Sequence, residues 1–307
     1  MNLLKISDIN ENKLERIFEF ADKARSENIL SSKKLFSAAN DKFLANIFLE
    51  PSTRTRLSFD ASMKYIGGKV LTIENGASSS MEKGESLSDT IRTVSQYSHI
   101  VVVRTSEELN DYTLGDINTP IINAGDGSKE HPTQALLDFY TIRKKIKKED
   151  FSILFLGDVK YSRTAHSLIH LLSNYNCKMY RRSPNVNLPA DLKKLTEDAE
   201  DNWIKRILPN VDVVYCIRRQ KERYSKVPTT LAALDEFKRY DREYGLFNVE
   251  PNVLKDSAIV MHPMPRGPEL PVSYDKDHRS VYFEQSKNGI YVRIGILMEY
   301  LQLQELV

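Results

Sequence analysis

The most constraining stretch is an apolar run at residues 43–49 that gives way to Pro51-Ser52-Thr53-Arg54-Thr55-Arg56. The segment behind it repeats its apolar residues at helical spacing, Leu57 with Ala61 and Phe59 with Met63 and Ile66, and is closed by Gly67-Gly68. A short apolar run bounded by turn residues reads as a buried parallel strand, and the spacing after it predicts a helix. The hydroxyl and guanidinium cluster then sits at a helix N-terminus, where unpaired backbone N–H groups and the positive end of the helix dipole attract an anion. Ser52, Thr53 and Thr55 add hydroxyl donors and Arg54 a planar cationic fork. A phosphate is the natural occupant. The bland alternative is an ordinary Ser/Thr helix cap with two solvated arginines.

The rest of the chain repeats this alternation. Residues 11–27 put Leu14, Ile17, Phe18 and Ala21 on one helical face. Strands are expected at 69–73, 99–103 and 120–123, with a helix through Tyr97 that opens on the capping-box pattern Ser86-Leu87-Ser88-Asp89. A helix over 131–146 ends in a basic patch, the best linker candidate, and strands follow at 151–156, 177–180, 211–217 and 258–261. Residues 282–303 read largely as a long amphipathic closing helix. Strand, helix, strand in sequence requires crossover connections and a parallel sheet. The expected fold is α/β, with two doubly wound parallel-sheet domains joined by helices and the active site in the cleft between them. The first covers residues 1–133, with the closing helix, 287–307, packing back onto it; the second covers 134–286.

At 307 residues the chain is long enough for two core-containing units. With 44 basic against 42 acidic residues it carries no nucleic-acid footprint, although positive charge can still be concentrated in a pocket. No apolar run reaches membrane-spanning length, and Met1-Asn2-Leu3-Leu4-Lys5 lacks a signal peptide's apolar core, so a cytoplasmic protein without a membrane partner is expected. Cys177 and Cys216 fall in strand-like segments and read as small buried hydrophobes. None of the six histidines pairs closely with another His or a Cys, and His166 and His170 lack the intervening Glu of a zinc-protease motif. No Gly-x-Ser-x-Gly elbow, Walker loop or dinucleotide fingerprint follows any strand, which disfavours a dinucleotide-dependent oxidoreductase. No metal and no cofactor is expected.

Open parallel sheets bind ligands at the carboxyl ends of their strands. The polar residues expected there are Ser52 to Thr55, Arg104, His131, Gln134, Arg163, Arg218 and Arg266, a set rich in arginine and poor in acids, so the ligand should be polyanionic. Ser162-Arg163-Thr164, in a second strand-to-helix turn, echoes the first cluster and offers a second anion site. His131 precedes proline after a Gly-rich loop and is the sharpest single candidate, whereas His262, before Pro263-Met264-Pro265, is expected to shape its turn.

These motifs carry a resemblance. The stretch from Pro51 to Arg56, His131-Pro132-Thr133-Gln134, the run from Gly157 to Thr164, the run from Arg218 to Arg223, and His262-Pro263-Met264-Pro265-Arg266 stand in the order found in aspartate carbamoyltransferase catalytic chains, and the likeness covers nearly the whole sequence. The resemblance implies transfer of a carbamoyl group from carbamoyl phosphate to the α-amine of L-aspartate, in pyrimidine biosynthesis. It implies that Ser52, Thr53, Arg54 and Thr55 hold the phosphate. Thr55, Arg104 and His131 would polarise the carbonyl, and Gln134, with the backbone at Met264 and Pro265, would orient the carbamoyl nitrogen. Arg163 with Thr164 would take the α-carboxylate of aspartate, and Arg218 with Gln220 its side-chain carboxylate, beside Met264. Ser79 and Lys83 match a loop that reaches into a neighbouring subunit's site, which implies a homotrimer with shared active sites; regulatory chains are further partners the family allows. The sequence departs from the family pattern at Glu82, Arg219 and Pro268, none of which removes a group the chemistry needs. A different amine acceptor such as ornithine, or a catalytically silent phosphate-binding subunit, remain the rival readings.

Overall fold

A computed structural model of the chain describes residues 2–32, 36–74, 84–110, 114–115, 117–127, 129–183, 188–199, 202–220, 244–246 and 249–306. The chain divides into two compact units, Met1–Tyr140 with Lys287–Val307, and Thr141–Ser286.

The first unit contains α1 (Glu11–Ser26), α2 (Ile29–Ser32), β1 (Phe43–Phe48), α3 (Thr53–Tyr65), β2 (Lys69–Glu74), α4 (Leu87–Ser95), β3 (Ile100–Thr105) and β4 (Ile121–Asp126). It also holds most of α5 (Pro132–Lys145) and of the last helix (Tyr282–Tyr300). Its sheet runs β2-β1-β3-β4, and every pairing is parallel. β1, β3 and β4 are buried, whereas the edge strand β2 is largely exposed and bounded by the charged residues Lys69 and Glu74, a common protection of a sheet edge. Ala45, Ile47, Val101 and Val103 on one face pack with Leu87, Ile91 and Val94 of α4. The start of α4 is fixed as its sequence suggests: Ser86 Oγ accepts from the Asp89 N–H at 3.1 Å and donates to Asp89 Oδ2 at 2.7 Å.

Helix α5 explains where the units part. Phe18 of α1 packs against Phe139 and edge-on against Tyr140, with ring centroids 6.1 and 5.2 Å apart, and the Tyr140 hydroxyl donates to Asp22 Oδ1 at 2.6 Å. These contacts hold α5 in the first unit as far as Tyr140. The sequence places the boundary between residues 133 and 134, earlier on the same helix.

The last helix differs from its expected amphipathic character. Residues 282–290 mix buried and exposed positions, but all of 291–300 are buried. Within the first unit this helix meets two others: Ser62 Oγ donates to the Ile290 carbonyl at 3.0 Å, and Arg16 pairs with Glu299 at 2.8 Å. Gly295 lies so close to α1 that a Cβ there would stand 2.1 Å from the Ile17 carbonyl oxygen.

The second unit contains β5 (Phe151–Gly157), α6 (Arg163–Leu172), β6 (Cys177–Arg182), α7 (Ala190–Leu195), β7 (Glu197–Asp198), α8 (Trp203–Arg206), β8 (Val213–Ile217) and β9 (Ile259–Met261), so the last helix, Tyr282–Tyr300, is α9. The sheet order is β7-β6-β5-β8-β9, again all parallel. One core joins Leu154, Leu156, Trp203, Val214, Val260 and Tyr274. Cys216 is buried in it, Cys177 is partly exposed, and both are free; burial pushes the Cys177 thiol up to about 12 and the Cys216 thiol well above its usual value. Asp212 fastens the amino-terminal edge of this sheet: one oxygen accepts from the Ser152 N–H at 2.8 Å, and the other meets Lys148 at 2.6 Å and Lys255 at 2.7 Å. Among the described residues no helix is long and apolar enough to cross a membrane.

The Gly295 contact leaves no room for a side chain without parting two helices. Gly295→Ala should lower stability by about 1–3 kcal/mol, the usual cost of overpacking. Urea unfolding checks this, and an unchanged midpoint would mean that α1 and α9 separate freely.

Candidate active site

In the first unit, β1, β3 and β4 are parallel neighbours, so their carboxyl ends lie along one edge. α3 begins at Thr53, which makes Ser52 its N-cap and puts Thr53, Arg54 and Thr55 in its first turn. Ser52 is extended, with φ −158° and ψ 95°, and its side chain makes no capping hydrogen bond. An ordinary cap would close one of the unpaired N–H groups, so this helix start keeps its capacity for an anion. Thr55 is buried and Arg54 is exposed. Desolvation, with no contribution from a neighbouring charge, lowers the Arg54 pKa; the exposure of the guanidinium to water limits that effect, and it remains a cation. Arg56 is not part of this group, because it forms an ion pair with Glu74 at the end of β2.

Arg104 stands opposite Phe48 in the register of β1 and β3. Its Nη1 donates to the Ala124 carbonyl at 3.3 Å, and its Nε lies 3.7 Å from Glu50 Oε2. His131 is buried just before α5; its carbonyl accepts from the N–H groups of Gln134 at 3.0 Å and Ala135 at 3.2 Å, and its Nδ1 lies 3.4 Å from Thr133 Oγ1. Gln134 donates from Nε2 to Asp138 Oδ1 at 2.8 Å. The approach to His131 is held by a residue that the sequence did not single out. Asp126 is buried at the end of β4 and accepts from the Leu109 N–H at 3.0 Å and the Glu130 N–H at 2.9 Å. Its only signal is an acid between the glycines of Gly125-Asp126-Gly127.

The second unit repeats the arrangement with different fastenings. Here Ser162 does cap its helix, accepting from the Ala165 N–H at 3.3 Å, and it lies 3.0 Å from Thr164 Oγ1. Arg163 opens α6. His166 Nε2 donates to the Val159 carbonyl at 2.8 Å, and burial lowers its pKa, so a neutral ring braces the turn before Arg163. Gly157 takes φ 124°, and a Cβ there would stand 2.1 Å from the Ile217 carbonyl oxygen, so only glycine lets β5 and β8 end side by side. Asp158, also buried, accepts from the Gln220 N–H at 2.9 Å and ties the turn after β5 to the one after β8. Arg218 donates to the Arg219 carbonyl at 3.0 Å; Arg218 is half-buried and Arg219 buried.

After β9, His262 organises a tight turn. Its Nδ1 accepts from the Met264 N–H at 2.8 Å, so its Nε2 carries the proton donated to Glu269 Oε1, also at 2.8 Å. Met264 has φ 58°, a left-handed conformation costly for a non-glycine residue, and this hydrogen bond helps to hold it. Desolvation pushes Glu269 upward, but hydrogen bonds from His262 and the Gly267 N–H outweigh it and keep the carboxyl below its usual value. Arg266, one of the cations expected at the strand ends, is engaged elsewhere: it forms a two-pronged pair with Asp275 and donates to the Tyr282 hydroxyl at 3.2 Å. Ser79, Lys83 and the run 221–223 lie outside the described residues. Among the described residues no group of three or more His, Cys, Asp or Glu could hold a metal ion.

Two family models match the chain in series. The aspartate/ornithine carbamoyltransferase carbamoyl-P binding domain covers residues 1–144, and the Asp/Orn binding domain of the same family covers 149–300. The chain belongs to the aspartate/ornithine carbamoyltransferase family. It is 39% identical to the aspartate carbamoyltransferase catalytic subunit of Methanocaldococcus jannaschii, with 99% of each chain covered. The solved catalytic subunit of M. jannaschii aspartate transcarbamoylase superposes with a TM-score of 0.84 at 38% identity, covering 98% of both chains. The Trypanosoma cruzi aspartate transcarbamoylase, solved with carbamoyl phosphate and aspartate, superposes with a TM-score of 0.85 at 29% identity, covering 97% of this chain and 94% of that one.

Two acids near the His262 turn give this region a pH signature. The Arg266 hydrogen bonds hold Asp275 down to about 2, and the Arg279 hydrogen bonds do the same for Asp277. A depressed folded-state pKa stabilises the native state above the unfolded value and loses that effect as the pH falls through the folded one. Unfolding midpoints should therefore drop between about pH 4 and pH 2, and Asp275→Asn should flatten part of that drop.

Proposed function

We propose that the chain transfers the carbamoyl group of carbamoyl phosphate to the α-amine of L-aspartate, giving N-carbamoyl-L-aspartate and phosphate, a step of de novo pyrimidine biosynthesis. The observation that carries this reading is the presence, in one member of this family, of a separate arginine-bearing helix start on each sheet: Arg54 in the first turn of α3 and Arg163 in the first turn of α6. Two anionic substrates need two such places. The T. cruzi relative, solved with carbamoyl phosphate and aspartate, supports the identity of both.

In this reading Ser52, Thr53, Arg54 and Thr55, with Ser79 and Lys83, bind the phosphate, and Thr55, Arg104 and His131 face the carbonyl oxygen. Attack by the neutral amine builds negative charge first on that oxygen and then on the departing phosphate. Donors and cations already in place lower the barrier without a covalent enzyme intermediate. The departing phosphate itself accepts the amine's proton. Gln134 and the carbonyls of Met264 and Pro265 receive the carbamoyl NH2 group, which can only donate. Arg163 and Thr164 take the α-carboxylate of aspartate, with Lys83 and Met264 alongside. Arg218 is preferred to Arg219 for the side-chain carboxylate, with Gln220 beside it, because it is the less buried of the two.

The reading extends to a cytoplasmic homotrimer in which Ser79 and Lys83 serve a neighbouring subunit, with room for regulatory chains. The name of the M. jannaschii relative, a catalytic subunit, is consistent with such an assembly.

Phosphate release from carbamoyl phosphate by the purified protein should require L-aspartate, with N-carbamoyl-L-aspartate as the product. Preference for L-ornithine would overturn the assignments of Arg163, Arg218 and Gln220, and no turnover with any acceptor would favour a silent subunit. Arg54→Ala should cut the rate by about a hundredfold or more in a folded protein. Shared sites are tested by mixing inactive Lys83→Ala and His131→Ala proteins under conditions of subunit exchange. Partial activity should return, and none despite verified exchange would remove Lys83 from the neighbour's site.

A further inference from the structure

The side-chain amide of Gln134 is held from behind by a buried acid. Gln134 Nε2 donates to Oδ1 of Asp138, one turn further along α5, at 2.8 Å, and Asp138 is 0% exposed. Near it lies a buried cation, Arg293 of α9, whose Nη1 donates to the Gly289 carbonyl at 3.3 Å and whose guanidinium stands 5.1 Å from the Phe59 ring centroid. Desolvation lowers Arg293 to about 10, and the Asp138 charge acts against that fall. Arg293 thus stays charged at neutral pH, and the two buried groups support each other.

A primary amide has two ends of almost the same shape and opposite hydrogen-bonding character. Asp138, as a carboxylate, accepts and cannot donate, so it engages the NH2 end of Gln134 and turns the carbonyl end away from itself. The group that Gln134 meets in the proposed reaction, the carbamoyl NH2, can only donate and needs a carbonyl opposite it. With the amide reversed, two NH2 groups would face each other, and an acyl phosphate bearing a methyl group would be rejected no more strongly than carbamoyl phosphate. Resting on the assignment of Gln134 to the carbamoyl group, we propose that Asp138 is a positioning residue that fixes the Gln134 carbonyl toward the acyl group and so makes the site select an acyl NH2 over an acyl CH3.

The test compares the KM of carbamoyl phosphate with the inhibition constant of acetyl phosphate in the whole enzyme. Asp138→Asn can donate as well as accept, so it permits both orientations of Gln134; the preference for carbamoyl phosphate should fall by about tenfold, equivalent to about 1.4 kcal/mol, with a smaller change in kcat. This variant also strips Arg293 of its counter-charge, and if it fails to fold, the exchange of roles decides. In the double variant Asp138→Asn with Gln134→Glu, the amide introduced on α5 donates to one oxygen of the new carboxylate while the other oxygen faces the acyl group. Both acyl phosphates should bind more weakly because of the added negative charge, but their ratio should return toward that of the parent enzyme. A folded Asp138→Asn enzyme with the parent preference, or a double variant that recovers none of it, overturns the proposal. Gln134→Met separates the two layers. If it keeps the preference, the assignment of Gln134 falls and this inference with it; if it loses the preference while Asp138→Asn keeps it, only the role of Asp138 falls.

Discussion

In a parallel sheet every strand leaves at the same edge, and the helix that carries the chain back must begin there with backbone N–H groups that the helix itself cannot satisfy. Both sheets of this protein obey that constraint. α3 follows β1, α5 follows β4 and α6 follows β5, so three helix starts fall at strand carboxyl ends. Chain direction alone thus collects positive potential along two edges, before any side chain is chosen. Arg54 and Arg163 add full charges where the backbone already supplies partial ones, and Arg104 and Arg218 stand at the carboxyl ends of β3 and β8.

The acids near these edges have a different task. A carboxylate pointing toward an anion would cancel the field, yet Asp126, Asp158, Asp138 and Glu269 are all buried within a few residues of the proposed ligands. Each takes hydrogen bonds from neutral donors: Asp126 from Leu109 and Glu130, Asp158 from Gln220, Asp138 from the Gln134 amide, and Glu269 from Gly267 as well as His262. Those of Asp126 and Asp158 fasten one segment to another, and those of Asp138 and Glu269 brace a helix turn and a tight turn from within. A charged acceptor is suited to this because a hydrogen bond to a carboxylate is stronger and shorter than one between neutral groups.

What could be read from the sequence was whatever local pattern determines. The alternation of apolar runs with helical spacing specified parallel α/β units, and the Ser-Thr-Arg-Thr cluster located the first helix start. Partners distant in sequence were hidden. Arg56 and Arg266 look equivalent to the other arginines until Glu74 and Asp275 are seen to bind them. The fastening acids escaped notice because an arginine-rich set draws attention to cations, although the spacing of Gln134 and Asp138, one helical turn, is a visible sign. The short elements α7, β7 and α8 carry too few residues for any period to appear. A continuous helix conceals a domain boundary in the same way, since α5 has no break where its contacts change sides.

The assignment of Lys287–Val307 to the first unit has a consequence for how the protein is made. Synthesis runs from the first residue to the last, so the buried segment 291–300 that the first unit needs is made only after the whole of the second unit, Thr141–Ser286. Until it arrives, the first half of the chain keeps the α1 surface that receives Gly295 uncovered. Folding finishes out of chain order, and the nascent first unit is the species that a chaperone would meet with apolar surface still open.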